Sequence, residues 1–492
     1  MTENPENKSV KTQLMSGVFY TSVAKYTGIV VNLGVAGVLA RLFTPKEFGI
    51  VGIATVIISF FAIFSDLGIG PAVIQRKNLT RSDLNGIFSL SVWSGAVIAL
   101  LFFAASGGIA SFYDHAESLK TVCRILSLNL FFASANIVPN ALIYKAKRFR
   151  FIAVRSLSVQ IIGGSAAIAA AYAGAGIYAL TINPVFSSAM LFMINYRQNP
   201  LRLRLRPGRE ALGKVFSFSA YQFSFQLINY FSRNLDKLLM GRYMSLTQLG
   251  YYEKSYRLMM LPLQNITFVI SPVMHPIFAE MQHDKRQIAF QYMKVIRLLA
   301  FIGLPLSAVL CFTAQELILL IFGPQWQPSV DALRILSLSV GIQIVMSTSG
   351  SIFQAADATR MLFLCGLFSA TLNVAAIATG VFAFGTTQAV AWCICASFLV
   401  NFIQCYHALF RLTLHVRWGP FWRGFLSPLL LTALVSVPLA ALEFGLPAGT
   451  PLIASLAAKG AAALLVWLAY VQLGGVYDLW QIVRGVLRRT KS

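Results

Sequence analysis

One apolar stretch of the sequence carries polar side chains at intervals that place them along a single face of a helix. They follow one another at spacings of four, three, four, three and one positions, and they are Gln222, Gln226, Asn229, Arg233, Asp236 and Lys237. Residues three and four apart are neighbours on a helix surface. Cationic side chains bind anions, and arginine suits phosphate oxygens in particular. The stripe therefore predicts a binding face for a polar, anionic ligand.

Polar positions in other apolar stretches extend this candidate site. A shift of 201 positions maps the stripe onto the first apolar stretch, where it meets Thr21, Lys25, Gly28 and Asn32. Another stretch carries Lys254, Arg257, Gln264 and Asn265 at helical spacing, and Arg124 and Arg334 lie in two more. The residues assigned to a substrate cavity are Lys25, Asn32, Arg124, Gln222, Gln226, Asn229, Arg233, Asp236, Lys237, Lys254 and Arg257.

The stretches that hold these residues have the length and apolarity of membrane spans. The chain has 492 residues, of which 57% are hydrophobic and 12% charged, and its mean hydropathy is +0.69. Roughly 20 apolar residues cross the hydrocarbon core as a helix. We predict an all-α polytopic membrane protein with fourteen spans, which begin near Val18, Gly49, Leu84, Val122, Phe151, Gly176, Val215, Gly250, Tyr292, Val330, Leu362, Thr387, Gly424 and Pro451.

The net charge of +23 is explained by membrane topology. With the N-terminus inside, 28 of the 40 lysines and arginines, Arg155 among them, fall on the inner side, and the short outer loops around Gly174, Phe384 and Pro447 carry none. The positive-inside rule therefore predicts that both termini are cytoplasmic, and it argues against a nucleic-acid partner. The polar N-terminal segment lacks the charged, apolar and small-residue regions that follow one another in a signal peptide. We therefore expect this segment to stay attached to the protein.

Matching positions in the two halves indicate a duplicated unit of six helices. Arg41 and Gly49 match Arg242 and Gly250 at a shift of 201, and Arg124–Leu128 recurs identically as Arg334–Leu338 at a shift of 210. An even number of spans keeps both copies in the same orientation, as in two-lobed transporters. We predict an N-lobe over 1–206, a C-lobe over 207–413, and two further helices with a cytoplasmic tail over 414–492.

The charged residues in the spans admit two interpretations. Each lysine or arginine near the bilayer centre costs roughly 2.5–3.5 kcal/mol, so we expect them to face a water-filled cavity. Alternatively, Arg233, Asp236 and Lys237 form an ion-pair cluster that joins helices, and Arg41, Arg242 and Lys254 extend to the outer interface.

Lys25 and Asp66 are the two most informative single positions. Lys25 has no acidic residue within a helical turn or two, which makes it the strongest candidate for contact with an anionic substrate. Asp66, beside Gly68 and Gly70, is assigned a role in ion binding or gating, and pairing with a basic residue is the alternative.

Other chemistry finds little support in the sequence. The six cysteines lie within or beside apolar spans, and the five histidines are scattered. We expect no cofactor, no metal and no catalytic residue. A cationic cavity lined by amides suits a substrate with phosphate, sugar and a lipid tail, because each part finds its complement: cations, amides and an open seam toward lipid.

Four segments of the sequence together resemble one protein family. They are Ala40–Gly49; Asp66–Gly70 continuing into Ile74–Lys77; Asn234–Lys237 with Gly250 and Tyr251; and Phe322–Trp326. In their order and spacing they resemble the Wzx-type flippases, the polysaccharide transporter branch of the multidrug/oligosaccharidyl-lipid/polysaccharide (MOP) exporter superfamily. Within that branch the chain is most similar to exporters of the colanic-acid and succinoglycan type.

The resemblance implies a function and a mechanism. It implies transfer of an undecaprenyl-pyrophosphate-linked repeat unit from the cytoplasmic to the periplasmic leaflet of the bacterial inner membrane, by alternating access, for exopolysaccharide, capsule or O-antigen assembly. The implied partners are that glycan, membrane lipids, and polymerase or export machinery. The alternatives are an ion-coupled small-molecule antiporter, a peptidoglycan-precursor flippase and a membrane enzyme. The sequence has no sizeable outward loop for an active site, so we expect a transporter rather than an enzyme.

Overall fold

The computed structural model describes residues 5–66, 69–76, 78–113, 117–204, 227, 230–231, 233–282, 284–447 and 449–473. Side chains are described from Tyr20 onward, except at Asp66, 268–269, 271–273 and 275–276. Every regular element within these ranges is helical. The contacts divide the chain into two compact units, Met1–Gly250 (unit 1) and Tyr251–Ser492 (unit 2).

The described residues of unit 1 form nine helices and the start of a tenth. They are α1 (Pro5–Leu42), α2 (Pro45–Asp66), α3 (Ile69–Gln75), α4 (Arg81–Phe112), α5 (Glu117–Ala135), α6 (Ile137–Lys145), α7 (Phe149–Tyr172), α8 (Ala179–Gln198), α9 (233–243) and the first residues of α10 (Leu246–Ala279). A 3-10 turn over Gly176–Tyr178 precedes α8.

In the described part of unit 2, the rest of α10 is followed by nine further helices. They are α11 (Lys285–Phe312), α12 (Ala314–Phe322), α13 (Ser329–Ser337), α14 (Val340–Met346), α15 (Ser349–Ala355), α16 (Thr359–Ala378), α17 (Thr387–His407), α18 (Gly419–Gly445) and α19 (Leu452–Leu473). Pro324–Trp326 forms a 3-10 turn, and π-helical segments over Thr379–Phe384 and Ala408–Thr413 follow α16 and α17.

The helices have the dimensions that the hydropathy predicts. In the described part of the chain, eleven helices are long and apolar enough to cross a membrane, and a twelfth results if Ser329–Ser337 and Val340–Ala355, bent by 43°, form one broken span. The predicted span near Val215 lies mostly outside the described residues, and the span predicted near Gly250 corresponds to α10. The all-α, polytopic membrane class is confirmed, and the observed helices are consistent with fourteen spans.

Local capping explains how the short helix α3 is held in unit 1. The Lys145 ammonium, at the end of α6, donates to the carbonyl oxygens of Val73 at 3.0 Å and Arg76 at 2.5 Å. Val73 lies in the last turn of α3 and Arg76 directly follows the helix, so both carbonyls lie at the end where intrahelical donors run out. Ile69, Ala72 and Val73 then pack into a buried cluster with residues of α4 and α6.

The two glycines matched by the repeat lie at a helix crossing in unit 1. A Cβ added to Gly49 would lie 1.7 Å from the carbonyl oxygen of Leu246, and one added to Gly250 would lie 2.0 Å from that of Pro45. Pro45 and Leu246 are themselves 201 positions apart, so the two contacts exchange under the same shift as the glycines. Only glycine permits this approach of the backbones, which explains why both copies keep it.

A second shift-related feature is the turn that joins consecutive helices in each unit. Lys147, between α6 and α7, has a left-handed φ of 54°, and Asp357, between α15 and α16, has a φ of 53°. The backbone N–H of Lys147 donates to Tyr144 and that of Asp357 to Gln354, and all these pairs are 210 positions apart. The helices that follow also begin 210 positions apart, at Phe149 and Thr359. The duplicated sequence therefore folds into the same local backbone twice.

Within unit 2, the last two described helices, α18 and α19, pack against α11 through an apolar cluster. Phe301 of α11 contacts Leu431, Val435 and Leu439 of α18 and Ala463 of α19, all of them buried. The indole N–H of Trp467, on α19, donates to the Phe301 carbonyl at 2.9 Å. The predicted boundaries at 206/207 and 413/414 stay a prediction.

Candidate functional site

The polar stripe of the seventh predicted span is only partly described. Gln222, Gln226 and Asn229 lie outside the described residues, and Arg233, Asp236 and Lys237 lie on α9. The Asp236 side chain is buried and its Oδ1 accepts the Lys237 backbone N–H at 2.8 Å, whereas Arg233 is exposed. The three residues share a helical stripe, but Asp236 packs into the protein while Arg233 does not.

The matching residues of α1 lie in two different environments. Lys25 is half-buried, and Asn32 is exposed. Gly28, between them, packs against α7, where the Gln160 amide donates to the Gly28 carbonyl at 2.7 Å. The α1 stripe is thus interrupted by a helix contact, and Lys25 and Asn32 lie on either side of it along the helix.

Lys254 is enclosed by aromatic rings in unit 2. Its side chain is fully buried, and its Nζ lies 5.1 Å from the ring centroid of Phe322 and 5.3 Å from that of Trp326. A desolvated ammonium gains on the order of 2 kcal/mol from such ring faces. Arg257, one helical turn farther along α10, is half-buried. The aromatic segment that contributes to the family resemblance therefore forms the surroundings of a buried cation.

Arg124 and Asp66 complete the predicted set. Arg124 is exposed, and its guanidinium lies 5.0 Å from the Phe103 ring centroid while its Nε donates to Ser106 Oγ at 3.4 Å. Both partners belong to α4, so Arg124 lies along its neighbouring helix. Asp66 ends α2, and its side chain lies outside the described residues.

Unit 1 also contains a buried polar cluster whose arginine the sequence assigned to topology alone. Arg155 of α7 is 7% exposed, and its guanidinium donates to the side-chain oxygens of Asn195 and, at 3.3 Å, Asn140. Asn195 in turn donates to Asn136 Oδ1 at 2.7 Å. Among the described residues, Arg155 Nε has no hydrogen-bond partner. The cluster thus holds a permanent cation whose hydrogen-bonding groups are neutral amides.

A detectable signal for this cluster was the spacing of the asparagines. Asn136 and Asn140 are four apart, which places them on one helical face, and amides are uncommon in apolar spans. The charge count placed Arg155 among the inner-side cations, and it could not distinguish a cation in the headgroup region from one buried between helices.

Unit 2 contains a charge network of a different kind. The Lys459 ammonium contacts Glu443 and donates to Glu316 Oε1 at 2.6 Å, and Arg334 pairs with Glu443 at 2.5 Å. Ser455 donates to Glu316 at 2.6 Å. Burial raises the pKa of Glu316, but the hydrogen bonds from Lys459 and Ser455 outweigh burial and hold that pKa below its ordinary value. Two cations face two carboxylates, so the network is neutral.

The fold of the chain is similar to that of two solved membrane transporters. It is similar to the lipid II flippase MurJ in an inward closed conformation, with a TM-score of 0.75 and 12% identity over 94% of this chain and all of that one. It is also similar to an inward-facing multidrug transporter of the MATE family, with a TM-score of 0.61 and 16% identity over 80% of this chain and 98% of that one. The chain therefore has the same fold as these two proteins, the second of which is a transporter of the MOP superfamily.

The family follows from the sequence. Residues 38–331, more than half of the chain, match the family described as "Polysaccharide biosynthesis protein", and the chain belongs to that family. The teichuronic acid biosynthesis protein TuaB of Bacillus subtilis (strain 168) is 26% identical over 440 residues, which cover 87% of this chain and 89% of that protein. The resemblance to polysaccharide transporters of the MOP superfamily is confirmed.

Proposed function

We propose that this protein moves an undecaprenyl-pyrophosphate-linked oligosaccharide repeat unit from the cytoplasmic to the periplasmic leaflet of the bacterial inner membrane. The product supplies exopolysaccharide, capsule or O-antigen assembly, and the polymerase or export machinery acts next. Membership of a polysaccharide biosynthesis family and a fold similar to that of a lipid II flippase support the proposal. The protein carries out transport rather than a covalent reaction.

The buried arginine of unit 1 is the observation that carries the proposal furthest. Arg155 is hydrogen-bonded to neutral amides, so its positive charge is not cancelled by the groups that hold it. Because the protein interior screens charge weakly, this cation makes the surrounding part of unit 1 attractive to anions. Lys25, Arg124 and Arg233 add cations on other helices of the same unit. A diphosphate headgroup is the substrate group that such a field favours.

Alternating access accounts for the movement of a large headgroup. In this mechanism a cationic cavity opens to the cytoplasm, takes up the diphosphate and glycan while the tail stays in lipid, and then opens to the periplasm. Lys25, Asn32, Arg124, Arg233 and Lys237 are the described residues that we propose for this path, joined by Gln222, Gln226 and Asn229 of the same predicted stripe. Asp66 remains the proposed gating or ion-binding position.

The direct test is the location of the lipid-linked glycan in cells that lack the protein. We expect repeat units to accumulate on the cytoplasmic side, inaccessible to a glycan-cleaving enzyme added outside, and polymer to be missing from the surface. Restoring the wild-type gene should restore both. Normal polymer and a normal lipid-linked pool would refute the proposal and direct attention to antiport of a small molecule.

A further inference from the structure

A basic pocket of unit 1 lies outside the substrate path described above. It surrounds the turn between α6 and α7, has a volume of about 750 Å³, and is lined by Tyr20, Lys147, Arg148, Phe149, Arg150 and Phe151 together with Ala146 and Val154. Three cations and three aromatic rings thus share one pocket, and no carboxylate is among these lining residues. The distribution of charge along the chain predicts that this turn faces the cytoplasm.

The backbone presents the cations in a defined arrangement. Lys147 adopts a left-handed φ of 54°, a conformation that lysine rarely takes and that asparagine and aspartate tolerate better. Arg148, next in the chain, donates to the Gln198 side-chain oxygen at 3.0 Å, at the end of α8. The turn therefore fixes Lys147 and one arginine at the mouth of the pocket.

The equivalent turn of unit 2 shows that this backbone conformation does not require these charges. At the matching position it also has a residue with a left-handed φ, and that residue donates the matching backbone hydrogen bond. However, Asp357, Ala358 and Arg360 stand where unit 1 has Lys147, Arg148 and Arg150. The unit 2 turn has a net charge of zero, the unit 1 turn has three positive charges, and both turns are predicted on the same side of the membrane. The additional cations of the unit 1 turn therefore favour binding of an anionic ligand.

The start of α7 adds to the attraction for anions. Arg148 occupies the position before the first turn of this 24-residue helix, and its side chain makes no capping hydrogen bond. The N-terminus of a helix carries a partial positive charge that favours phosphate groups. Phe149 and Phe151 supply apolar surface beside the cations.

We propose that this pocket binds the diphosphate headgroup of a polyprenyl lipid in the cytoplasmic leaflet, as a first docking site for the substrate, and this rests on the proposed function. Three cations match the diphosphate diester of a lipid-linked glycan, which carries two negative charges, better than a phosphodiester lipid with one. Basic pockets beside membrane helices on the cytoplasmic side are known to take lipid headgroups. The aromatic walls accommodate the first isoprene units of the tail.

The test measures binding to the purified full-length protein in detergent. The probes are undecaprenyl diphosphate, phosphatidylglycerol and inorganic pyrophosphate. The double variant Lys147→Asn/Arg150→Gln removes two charges while it replaces the left-handed lysine with a residue that suits that φ. Arg360→Gln, at the position that matches Arg150 in unit 2, is the control. We expect the double variant to weaken undecaprenyl diphosphate binding about tenfold or more, and the control to leave it unchanged.

The remaining outcomes each overturn part or all of the proposal. Equal binding of phosphatidylglycerol with the same dependence on Lys147 and Arg150 would make this a general anionic-lipid site. If inorganic pyrophosphate bound as tightly as undecaprenyl diphosphate, the lipid tail would play no part in recognition. Unchanged affinity in the double variant would reject the pocket. This assay does not depend on export, so a failure here, with glycan still trapped inside cells lacking the protein, would reject the docking site and leave the proposed function standing.

Discussion

The same positions of the repeat hold opposite chemistry in the two units. Under the shift of 210, Arg155 and Asn195 of unit 1 correspond to Cys365 and Cys405 of unit 2. The first pair forms the centre of a buried guanidinium and amide cluster, whereas the two thiols are buried beside Gln404 and Ser349. Duplication has kept the backbone and changed the side chains at these positions, so the buried guanidinium and amide cluster is a feature of unit 1.

A second matched pair leads to the same conclusion. Arg124 of unit 1 lies against Phe103 and Ser106, which carry no charge, while its counterpart Arg334 forms an ion pair with Glu443 of α18. Glu443, the partner of Arg334, comes from a helix that follows the repeat and has no counterpart in unit 1. Arg334 and Lys459 of unit 2 are therefore neutralised by carboxylates, and we infer that this network serves stability, whereas we propose that Arg124 and Arg155 of unit 1 serve the substrate.

The largest effect should come from breaking the neutral network of unit 2. Lys459→Met leaves Glu316 and Glu443 facing each other without their shared cation, and loss of one partner of a buried ion pair costs roughly 3–5 kcal/mol. We expect a marked fall in the thermal unfolding temperature of the purified protein. Equal stability of variant and wild type would contradict the structural role of the network.

The same variant should acquire a pH dependence. Burial raises the pKa of Glu316, and Lys459→Met removes the Lys459 hydrogen bond and charge that lower it, so we expect this pKa to be higher in the variant than in the wild type. A group whose pKa is raised by folding stabilises the folded state at low pH and loses that contribution as the pH rises through it. The variant should therefore lie closer to wild type at pH 5 than at pH 7, and a constant difference would show that Glu316 is not the group left unpaired.

Arg155→Gln tests the cationic cluster of unit 1. Glutamine retains hydrogen bonding to the asparagines but removes the charge, so we expect glycan export to fall roughly tenfold to a hundredfold while protein abundance in the membrane is kept. Cys365→Ser at the matching position of unit 2 is the control and should export normally. Similar losses in both variants would indicate a packing effect and remove the distinction between the units.

Lys25→Ala addresses the predicted contact with the substrate on α1. We expect about a tenfold loss of polymer export with unchanged abundance and topology, because a charge-assisted hydrogen bond to the substrate is worth roughly 1.5–3 kcal/mol. Lys25→Arg should retain most activity, since it preserves the charge. Normal export by a well-expressed Lys25→Ala protein would remove Lys25 from the site.

Lys254→Met should have the smallest effect. Methionine has a similar volume and fits an aromatic environment, and removing the buried charge offsets the lost contact with Phe322 and Trp326. We expect stability to change by about 1 kcal/mol or less and export to stay close to wild type. A large loss of export at normal abundance would instead support the cavity role that the sequence predicts for Lys254.

The sequence revealed the helices and the repeat, because both depend on local patterns. Long apolar stretches predicted the spans, the shift of 201 matched Gly49 with Gly250, and the shift of 210 matched Arg124–Leu128 with Arg334–Leu338. The matching turns at Lys147 and Asp357 are visible only in the structure. At Gly49 and Gly250 the neighbouring backbone comes too close to leave room for a side chain, which explains why both copies of the repeat have glycine there. Hydropathy is a weaker guide for α10. Because this helix contains many polar residues, it is not among the helices that are apolar enough to count as membrane spans.

The environment of each charged residue could not be read from spacing alone. Helical spacing grouped Arg233 with Asp236, but the packing of neighbouring helices decides that Asp236 is buried and Arg233 exposed. The network around Lys459 joins residues up to 143 positions apart, so no local pattern reveals it. The predicted cavity residues stay a prediction, and the enclosed position of Lys254 identifies the member of that set that most needs testing.

The most direct measurement is transfer of a fluorescent undecaprenyl-diphosphate-linked oligosaccharide by the purified protein in liposomes. A membrane-impermeant quencher reports the fraction of labelled lipid in the outer leaflet, with and without an ion gradient. The account predicts that wild-type protein moves the labelled lipid between leaflets, that Arg155→Gln moves it much more slowly, and that Cys365→Ser matches wild type. No transfer by wild-type protein under either condition, or equal rates for wild type and Arg155→Gln, would contradict it.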